Sequence, residues 1–349
     1  MSAGSPDYEV FELADWRLEC GRVLPLVRLA YRSHGRAGEG APILTCTAFA
    51  QTPADLAFLV GPGLPLDPER HWLIQTELLG NGRSSSPSNT PPPFDGPDFP
   101  PVTIRDNVAL QARLLDHLSV ARLAAVVGAS MGGQQAVQWA VSHPERVARA
   151  AVLVGSARAG LHQQLFLHGL EAALTSDPAF AGGRYDAPPL EGLSRLSETW
   201  APWALSPAFF ALGHHLDHED TAAADLAGFL AKWRLRYHDR DANDLICQLR
   251  TWRDHDIAGR DGDFAAAAQR ARLPLLFLPS ASDAYFTPEQ VRQDAGAFPA
   301  AEVQVIETTS GHAAGFGRSA SDRAAVCAAL SAFLNHGDHP FASKLRIMR

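Results

Sequence analysis

The order of apolar segments along the chain is the feature that most constrains its fold. Short apolar runs alternate with amphipathic helical patterns up to residue 155, and the alternation resumes at residue 273. Strands alternating with helices at this spacing predict a parallel sheet with helices on both faces. The predicted strands are 41–49, 71–79, 123–127, 147–154, 273–278 and 303–306, and the predicted helices among them are 102–118, 133–142, 288–298 and 320–335.

The segment between the two halves is predicted to be a helical insertion. Residues 156–271 contain no convincing strand, and four stretches have helical patterns, at 161–174, 191–203, 221–237 and 241–252. A sheet that takes strands from both sides of this segment requires residues 1–155 and 272–349 to form one core, with residues 156–271 as a lid. The length of 349 residues also suits two independent domains, which is the alternative.

Two extended segments between residues 8 and 31 precede this core. Phe11 and Leu13 alternate around Glu12, and the second segment is apolar around Pro25. Because proline cannot donate a ladder hydrogen bond, Pro25 predicts an edge position in the sheet.

Charge and composition exclude several classes of protein. The net charge is −8 and no run of Lys and Arg exceeds two residues, which argues against nucleic acid and anionic membranes as partners. The first residues lack a signal-peptide pattern, and no window approaches roughly 18 uninterrupted apolar residues. The four cysteines are far apart, as expected for reduced thiols. We therefore expect a cytoplasmic protein with no membrane span.

No metal or nucleotide site is predicted. His214, His215 and His218 lie together among acidic residues, but the H-E-x-x-H order of a zinc site is missing, and a solvated polar face is the preferred interpretation. No G-x-x-x-x-G-K-[ST] loop occurs.

Residues 128–132 read Gly-Ala-Ser-Met-Gly, a G-x-S-x-G motif between a predicted strand and a predicted helix. This is the context in which such a serine becomes a nucleophile, on a tight turn whose glycines leave room for neighbouring backbone. The helix that follows places positive partial charge where an oxyanion would form. We predict Ser130 as the nucleophile and the Met131 N–H as one oxyanion donor, the alternative being an ordinary glycine-rich turn.

A nucleophilic serine needs a base and an acid that orients the base, and in this arrangement they follow in the order Ser, Asp or Glu, His. Asp283 and His312 each come just after a predicted strand, at the sheet edge where Ser130 also lies. They are therefore the predicted acid and base. The weaker candidates, placed in a helix start, a strand or the C-terminal tail, are Glu289, Glu307, His336 and His339.

Contacts to the substrate are less constrained by the sequence. The second oxyanion donor is expected in the loop after the strand at 41–49, from the N–H of Phe49 or Ala50. Tyr237 and Tyr285 lie near elements that face the pocket, unless they serve only in packing. Arg83 could contact an anionic donor such as coenzyme A, and a structural ion pair is the preferred alternative.

The motifs around these residues resemble those of the homoserine O-acetyltransferase family of α/β-hydrolases. The similar segments are T-I-R-D-N-V-A-L-Q-A-R-L-L-D at 103–116, S-M-G-G-Q-Q-A at 130–136, and shorter matches at 175–178, 241–243, 282–283 and 311–312. The resemblance covers about residues 8–335. It implies an α/β-hydrolase fold, with a mostly parallel eight-stranded sheet, helices on both faces and a helical lid over a deep tunnel.

The same resemblance implies roles for particular residues. Ser130, Asp283 and His312 correspond to the catalytic triad, and Met131 and Phe49 to the oxyanion hole. A homodimer built through the lid helices is also implied.

The chain departs from the transacetylases of that family where they bind the amino acid. They carry an arginine on the first lid helix that holds a carboxylate. Here Glu171 occupies that position, and the nearest upstream arginine is Arg158. They also read G-H-D-A-F after the last strand, where this chain has Ala313 in place of the aspartate. The loop at 46–55 is closer to an esterase-like branch, which also reads P-S-N-T-P-P-P, as at 87–93 here.

The predicted function is therefore a serine acyl-enzyme catalyst that hydrolyses a small acyl ester or thioester. The alternative is an O-acyltransferase that moves an acyl group from acyl-CoA to a hydroxyl such as that of homoserine or serine, with acetyl-CoA as co-substrate. A remote alternative is a non-catalytic binding module. No bound cofactor is expected.

Overall fold

One eight-stranded sheet forms the centre of the protein, and the computed structural model describes residues 8–217, 223–259 and 262–335. The strands are β1 (Glu9–Arg17), β2 (Val23–Gly35), β3 (Ala41–Cys46), β4 (His71–Thr76), β5 (Ala125–Ala129), β6 (Ala150–Leu153), β7 (Leu275–Leu278) and β8 (Ala301–Val303). Their order across the sheet is β1-β2-β4-β3-β5-β6-β7-β8. The pairs β1–β2 and β2–β4 are antiparallel and the others are parallel, which confirms the predicted mostly parallel sheet.

The α-helices of the described residues occupy both the core and the inserted segment. They are α1 (Ile104–His117), α2 (Met131–Ser142), α3 (Leu161–Thr175), α4 (Leu190–Ala204), α5 (Pro207–Ala211), α6 (His214–Asp217), α7 (Leu226–Trp233), α8 (Ala242–Arg253), α9 (Phe264–Ala268), α10 (Pro288–Ala295) and α11 (Ala320–Asn335). Among the described residues, none forms a helix with the length and apolar character needed to cross a membrane.

Helices cover both faces of the sheet, as the alternating sequence pattern predicts. Successive residues of β5 point to opposite faces. Val126 packs in the same apolar cluster as α1 and α2, and Val127 packs in the cluster that contains Val326 and Leu330 of α11. The sheet is therefore buried on both sides, which explains why the β5 sequence is apolar throughout.

The edge position that the sequence predicted for the strand that contains Pro25 is wrong, because β2 lies between β1 and β4. Pro25 nevertheless has a neighbouring strand on one side only. It belongs to the half of β2 that pairs with β1 only, because pairing of β2 with β4 begins at Tyr31. The missing N–H of Pro25 therefore costs no ladder hydrogen bond.

The elements between residues 156 and 271 are helical where the structure describes them. Outside α3 to α9 and short 3₁₀ turns, the segment contributes a single β-bridge between Arg158 and Asp256. The predicted helix at 221–237 is shorter than expected: α7 ends at Trp233, and the N–H groups of Leu235 and Arg236 then bond three residues back, in tighter turns. The division into core and lid at residues 156 and 271 stays a prediction.

The first turn of α1 is capped by side chains that are close in sequence. The Asp106 N–H donates to Thr103 Oγ1 at 3.1 Å, and the Thr103 N–H donates to Asp106 Oδ2 at 2.9 Å, which together form a reciprocal cap. Replacing Thr103 with Ala should lower the free energy of unfolding by about 1 kcal/mol, measured by urea denaturation. Thr103→Ser keeps the hydroxyl and should lose only a fraction of this. Equal losses in the two variants would contradict the capping role.

Candidate active site

Ser130 lies on a strained turn between β5 and α2. Its φ of 55° and ψ of −122° are rarely adopted by a non-glycine residue, and its side chain makes no capping hydrogen bond to α2. The flanking glycines permit the turn: a Cβ on Gly128 would collide with the Gly132 carbonyl, and a Cβ on Gly132 would collide with the Cys46 carbonyl. The motif therefore presents a serine hydroxyl at the end of β5 that the helix does not use.

Asp283 and His312 form a hydrogen-bonded pair. Asp283 Oδ2 lies 2.8 Å from His312 Nδ1, and the carboxylate side chain is fully buried while the imidazole is 9% exposed. The other carboxylate oxygen, Oδ1, accepts the N–H groups of Tyr285 at 2.7 Å and Phe286 at 3.2 Å. Because both oxygens are held, the carboxylate fixes the orientation of the imidazole ring.

Ser282 joins the loops that carry this pair. Its hydroxyl donates to the Thr308 carbonyl at 2.8 Å and accepts the Gly311 N–H at 3.0 Å. The loop after β7 is thereby tied to the loop that leads to His312. A bridge between Ser280 and Ile306 extends the pairing of these two chain segments beyond the strands.

The sheet brings the three predicted residues to one edge. Ser130 directly follows β5, Asp283 follows β7, and His312 follows β8 in a 3₁₀ turn at Gly311–Phe316. These strands run parallel, with β6 between β5 and β7. Their carboxyl ends therefore meet at the edge where sites of parallel sheets form.

The backbone around the predicted oxyanion donors distinguishes Phe49 from Ala50. Met131 is the first residue of α2, so its N–H has no acceptor within the helix. The Ala50 N–H, by contrast, donates to Gln248 Oε1 at 2.8 Å. Of the two alternatives that the sequence left open, the Phe49 N–H is thus the better candidate for the second donor.

Two glutamines that the sequence analysis missed hold this loop. Gln248 is buried on α8, accepts from Ala50 and donates to the Gly80 carbonyl at 2.8 Å. Gln135 on α2 donates to the Thr47 carbonyl at 2.9 Å. The loop after β3 is thereby fixed on both sides of Phe49. Gln135 belongs to the segment at 130–136 that resembles the family, whereas Gln248 does not stand out from the helical pattern around it.

Aromatic side chains surround the site. We call this set the aromatic cluster; its members are Phe49, Phe166, Trp200, Trp203, Tyr237, Trp252, Tyr285 and Phe286. Phe49 stacks on Trp200 with ring centroids 4.7 Å apart and meets the edge of Tyr237 at 5.9 Å. The ring of Tyr285 lies 4.6 Å from that of His312. Both predicted tyrosines thus belong to a cluster that contacts the histidine and Phe49.

Comparison with known proteins places the chain in a family. A family model described as alpha/beta hydrolase fold matches residues 42–317. The ethyl acetate hydrolase of Pseudomonas veronii is 34% identical over 322 residues, covering 90% of this chain and 91% of that protein. The homoserine O-acetyltransferase of Nostoc punctiforme is 30% identical over 332 residues, covering 88% of this chain and 92% of that protein. The chain belongs to the homoserine O-acyltransferase family of α/β-hydrolases. The resemblance seen in the motifs is confirmed.

Solved structures agree with this assignment. The acetyl esterase MekB superposes with a TM-score of 0.89 at 33% identity, covering 94% of this chain and 96% of that one. The relatives of the chain are thus carboxylic ester hydrolases and homoserine O-acyltransferases.

At the position of the family's carboxylate-binding arginine, Glu171 is part of an internal ion-pair network. It lies 2.6 Å from Arg250 and 2.9 Å from Arg253, so it ties α3 to α8. The upstream Arg158 is bound to the buried Asp294 at 3.0 Å. Neither position therefore presents a free guanidinium to a homoserine-like substrate.

Arg83 lies beside a separate polar cavity. It is ion-paired at 2.7 Å with Glu77, whose side chain is only 1% exposed, as the preferred alternative predicted. The cavity, of about 300 Å³, is lined by residues that include Ala50, Asn81, Arg83, Ser88, Asp244 and Gln248. Contact of Arg83 with a substrate stays a prediction.

The remaining residues considered from the sequence are the histidine and acidic cluster near residue 218 and the histidines of the C-terminal tail. His218, Glu219, Asp220, His336 and His339 lie outside the described residues. Within the part that the structure describes, no three His, Cys, Asp or Glu side chains are grouped so that they could hold a metal ion.

Asp244 in the polar cavity has a perturbed acidity. Burial raises its pKa to about 7, the charge of Asp241 adds to the rise, and hydrogen bonds from Ser88 oppose it. Ser88 donates to it from both its hydroxyl, at 2.6 Å, and its N–H, at 3.0 Å. The carboxylate is thus less stable in the folded protein than in the unfolded chain, where its pKa is about 3.9.

This shift predicts a pH-dependent stability. Since the folded pKa is the higher one, the penalty is absent below about pH 4 and complete above pH 7. Relative to Asp244→Asn, the wild-type protein should therefore lose on the order of 3 kcal/mol of unfolding free energy between pH 4.5 and 8. Urea denaturation at both pH values measures this, with the exposed Asp239→Asn as control. A constant difference between wild type and Asp244→Asn would contradict the prediction.

Proposed function

We propose that the protein is a serine esterase that hydrolyses small acyl esters through Ser130, His312 and Asp283. The observation that carries the proposal is the buried Asp283–His312 pair at the same sheet edge as the strained Ser130 turn. A buried carboxylate that holds a histidine beside a serine on such a turn is the arrangement of a nucleophile, its base and the orienting acid. Identity to two ester hydrolases, at 34% and 33%, supports the same activity.

The geometry supports a two-step mechanism. With Nδ1–H donated to Asp283, the free Nε2 of His312 takes the proton of Ser130 as Oγ attacks the ester carbonyl. The N–H groups of Met131 and Phe49 stabilise the oxyanion. His312 then protonates the departing alcohol, leaving Ser130 acylated. Water, deprotonated by the same nitrogen, attacks the acyl-enzyme and releases the acid.

Asp283 acts through the imidazole throughout this sequence. It fixes the tautomer that leaves Nε2 free and stabilises the imidazolium that forms in each step. Because its second oxygen accepts two backbone N–H groups, the carboxylate stays in place while the ring carries the charge.

The groups that would select an amino-acid acceptor are replaced in this chain, which favours water as acceptor. Glu171 is ion-paired with Arg250 and Arg253, and Ala313 has no carboxylate that could bind an ammonium group. Acyl transfer from acetyl-CoA to a hydroxyl is the second candidate function, because a homoserine O-acetyltransferase is 30% identical over most of the chain. We propose that the helices of residues 156–271 form a lid, and that the aromatic cluster, which includes Tyr237 and Tyr285, surrounds the bound ester.

Replacing Ser130 with Ala should lower kcat for p-nitrophenyl acetate by at least about 10³-fold, since removal of a triad nucleophile leaves only the oxyanion hole and binding. Ser142→Ala, at the exposed end of the same helix, is the control and should keep full activity. Circular dichroism checks that both variants fold. Equal activity of Ser130→Ala and wild type would exclude the serine mechanism.

The same preparation distinguishes hydrolysis from transfer. Thiol release from acetyl-CoA is measured with and without homoserine or serine. We expect no increase upon addition of either acceptor. Release that depends on homoserine would replace the esterase proposal with the acyltransferase.

We also propose a homodimer through the lid helices. On α3, Leu161 is 84% exposed and Leu165 is 71% exposed, and a spacing of four residues places them on one helix face. Adjacent exposed leucines of this kind indicate a contact surface.

The double variant Leu161→Asp, Leu165→Asp should shift the protein from dimer to monomer in size-exclusion chromatography with light scattering, because two desolvated carboxylates disfavour the interface. Leu64→Asp, in a loop of the core, is the control. A monomeric wild type at micromolar concentration would refute the dimer.

A further inference from the structure

The Tyr285 hydroxyl is a buried polar group without a partner. The residue is 5% exposed, its ring touches His312, and its oxygen makes no hydrogen bond to any residue that the structure describes. Buried hydroxyls are normally paired, so an unpaired one beside a candidate catalytic histidine indicates that a bound molecule completes it.

A second polar group near the site is the guanidinium of Arg236, which interacts with the Tyr237 side chain. It lies over the rings of Trp233 and Tyr237, at 5.0 and 5.8 Å from their centroids, and the side chain is exposed. Within residues 8–217, 223–259 and 262–335 it makes no ion pair. By contrast, Arg234, two residues earlier, is bound to Glu191 at 3.0 Å and Glu198 at 3.1 Å.

A carboxylate that acts on Arg236 has a backbone partner of its own. Asp55 acts on Arg236 electrostatically, but its carboxylate already accepts the Thr52 N–H at 2.8 Å, as the cap of a 3₁₀ turn. Arg236 therefore retains its capacity to bind an anion.

Arg236 and Tyr285 belong to the same region of the site. Tyr237, under the guanidinium, meets Phe49 at 5.9 Å and Trp200 at 6.1 Å, and Trp200 meets Tyr285 at 6.0 Å. Burial raises the pKa of Tyr285 well above its ordinary value, Asp283 and Tyr237 add to the rise, and the positive charge of Arg236 partly offsets it. The positive charge of Arg236 thus acts electrostatically on the Tyr285 hydroxyl, whose ring lies against His312.

We propose that Arg236 and the Tyr285 hydroxyl bind a carboxylate of the substrate, so that the protein hydrolyses esters that carry a free carboxylate in addition to the ester bond. Such substrates are half-esters of dicarboxylic acids or acyl esters of hydroxy acids. The inference rests on the proposed esterase function and specifies its substrate class.

The chemistry of the two groups favours a carboxylate over other ligands. Arg236 offers only donors, and its planar fork matches the two oxygens of a carboxylate. The Tyr285 hydroxyl stays protonated and supplies one further donor to the same acceptor. A neutral alkyl chain would leave the buried Tyr285 hydroxyl unpaired and would offer no acceptor to Arg236. Glu171 is ion-paired with Arg250 and Arg253, so Arg236 and Tyr285 would bind the carboxylate at a different position from that of the family's arginine.

Matched ester pairs test the proposal, with acid release followed in a pH-stat. One arm compares monoethyl glutarate with ethyl pentanoate, which places the carboxylate on the acyl side. The other arm compares 3-acetoxypropanoate with propyl acetate, which places it on the alcohol side. In at least one of the two arms, Arg236→Gln should lower the ratio of kcat/KM for the charged ester to kcat/KM for the neutral ester. The expected decrease is about 10- to 100-fold. Tyr285→Phe should lower the same ratio by a smaller factor.

Arg234→Gln is the matched control and should leave both ratios at their wild-type values. An unchanged ratio in both arms for Arg236→Gln, while Ser130-dependent hydrolysis of the neutral esters persists, would overturn the carboxylate site and leave the esterase proposal intact. Absence of hydrolysis of all four esters by folded wild-type protein would overturn the esterase proposal itself.

Discussion

The close approach of backbone at the Ser130 turn is the constraint on which the rest of the site depends. The turn forces Ser130 into a positive φ, and it fits only because residues 128 and 132 have no Cβ. The Ser130 N–H donates to the Leu153 carbonyl at 2.9 Å, so the turn is anchored to β6 as well as β5. The Gly132 backbone in turn lies against the end of β3, where the oxyanion loop begins. Moving any of these strands would therefore displace both the nucleophile and its oxyanion donors.

The oxyanion loop adds a dependence on the inserted helices. Gln248 reaches from α8 to Ala50, on the loop after β3, and to Gly80, on the loop after β4. The loop is thus held partly by the core, through Gln135, and partly by the insertion. A protein in which α8 moved away would keep Ser130, Asp283 and His312 in the core but would release one side of the loop beside Phe49. Gln248 thus links the position of α8 to the backbone beside Phe49, the proposed oxyanion donor.

The sequence was informative where local geometry determines the outcome. Strand ends, the glycine-flanked turn and the Thr103 cap follow from short-range rules, and from them the sheet and the positions of Asp283 and His312 could be predicted. The choice between Phe49 and Ala50 could not, because it depends on Gln248, which is about 200 residues away. The packing of the insertion could not be predicted either, since helical periodicity tells which face is apolar but not which partner covers it. Arg236 likewise lies two residues from Arg234, and only the structure shows that Arg234 is ion-paired whereas Arg236 has no carboxylate partner among the described residues.

The charged residues of the inserted helices differ from the family's pattern at the position that would bind the substrate. An arginine at position 171 would present a cation to the substrate from α3, but the glutamate there binds two arginines of α8 and converts the position into a structural link. That link joins α3 to α8, the helix that carries Gln248. A cation for the substrate must then come from elsewhere, and Arg236, held over two aromatic rings without a carboxylate partner among the described residues, is placed to supply it. Under the proposed function, the cation that binds the substrate would thus come from the turns after α7 instead of from α3, while Ser130, Asp283 and His312 stay at the sheet edge.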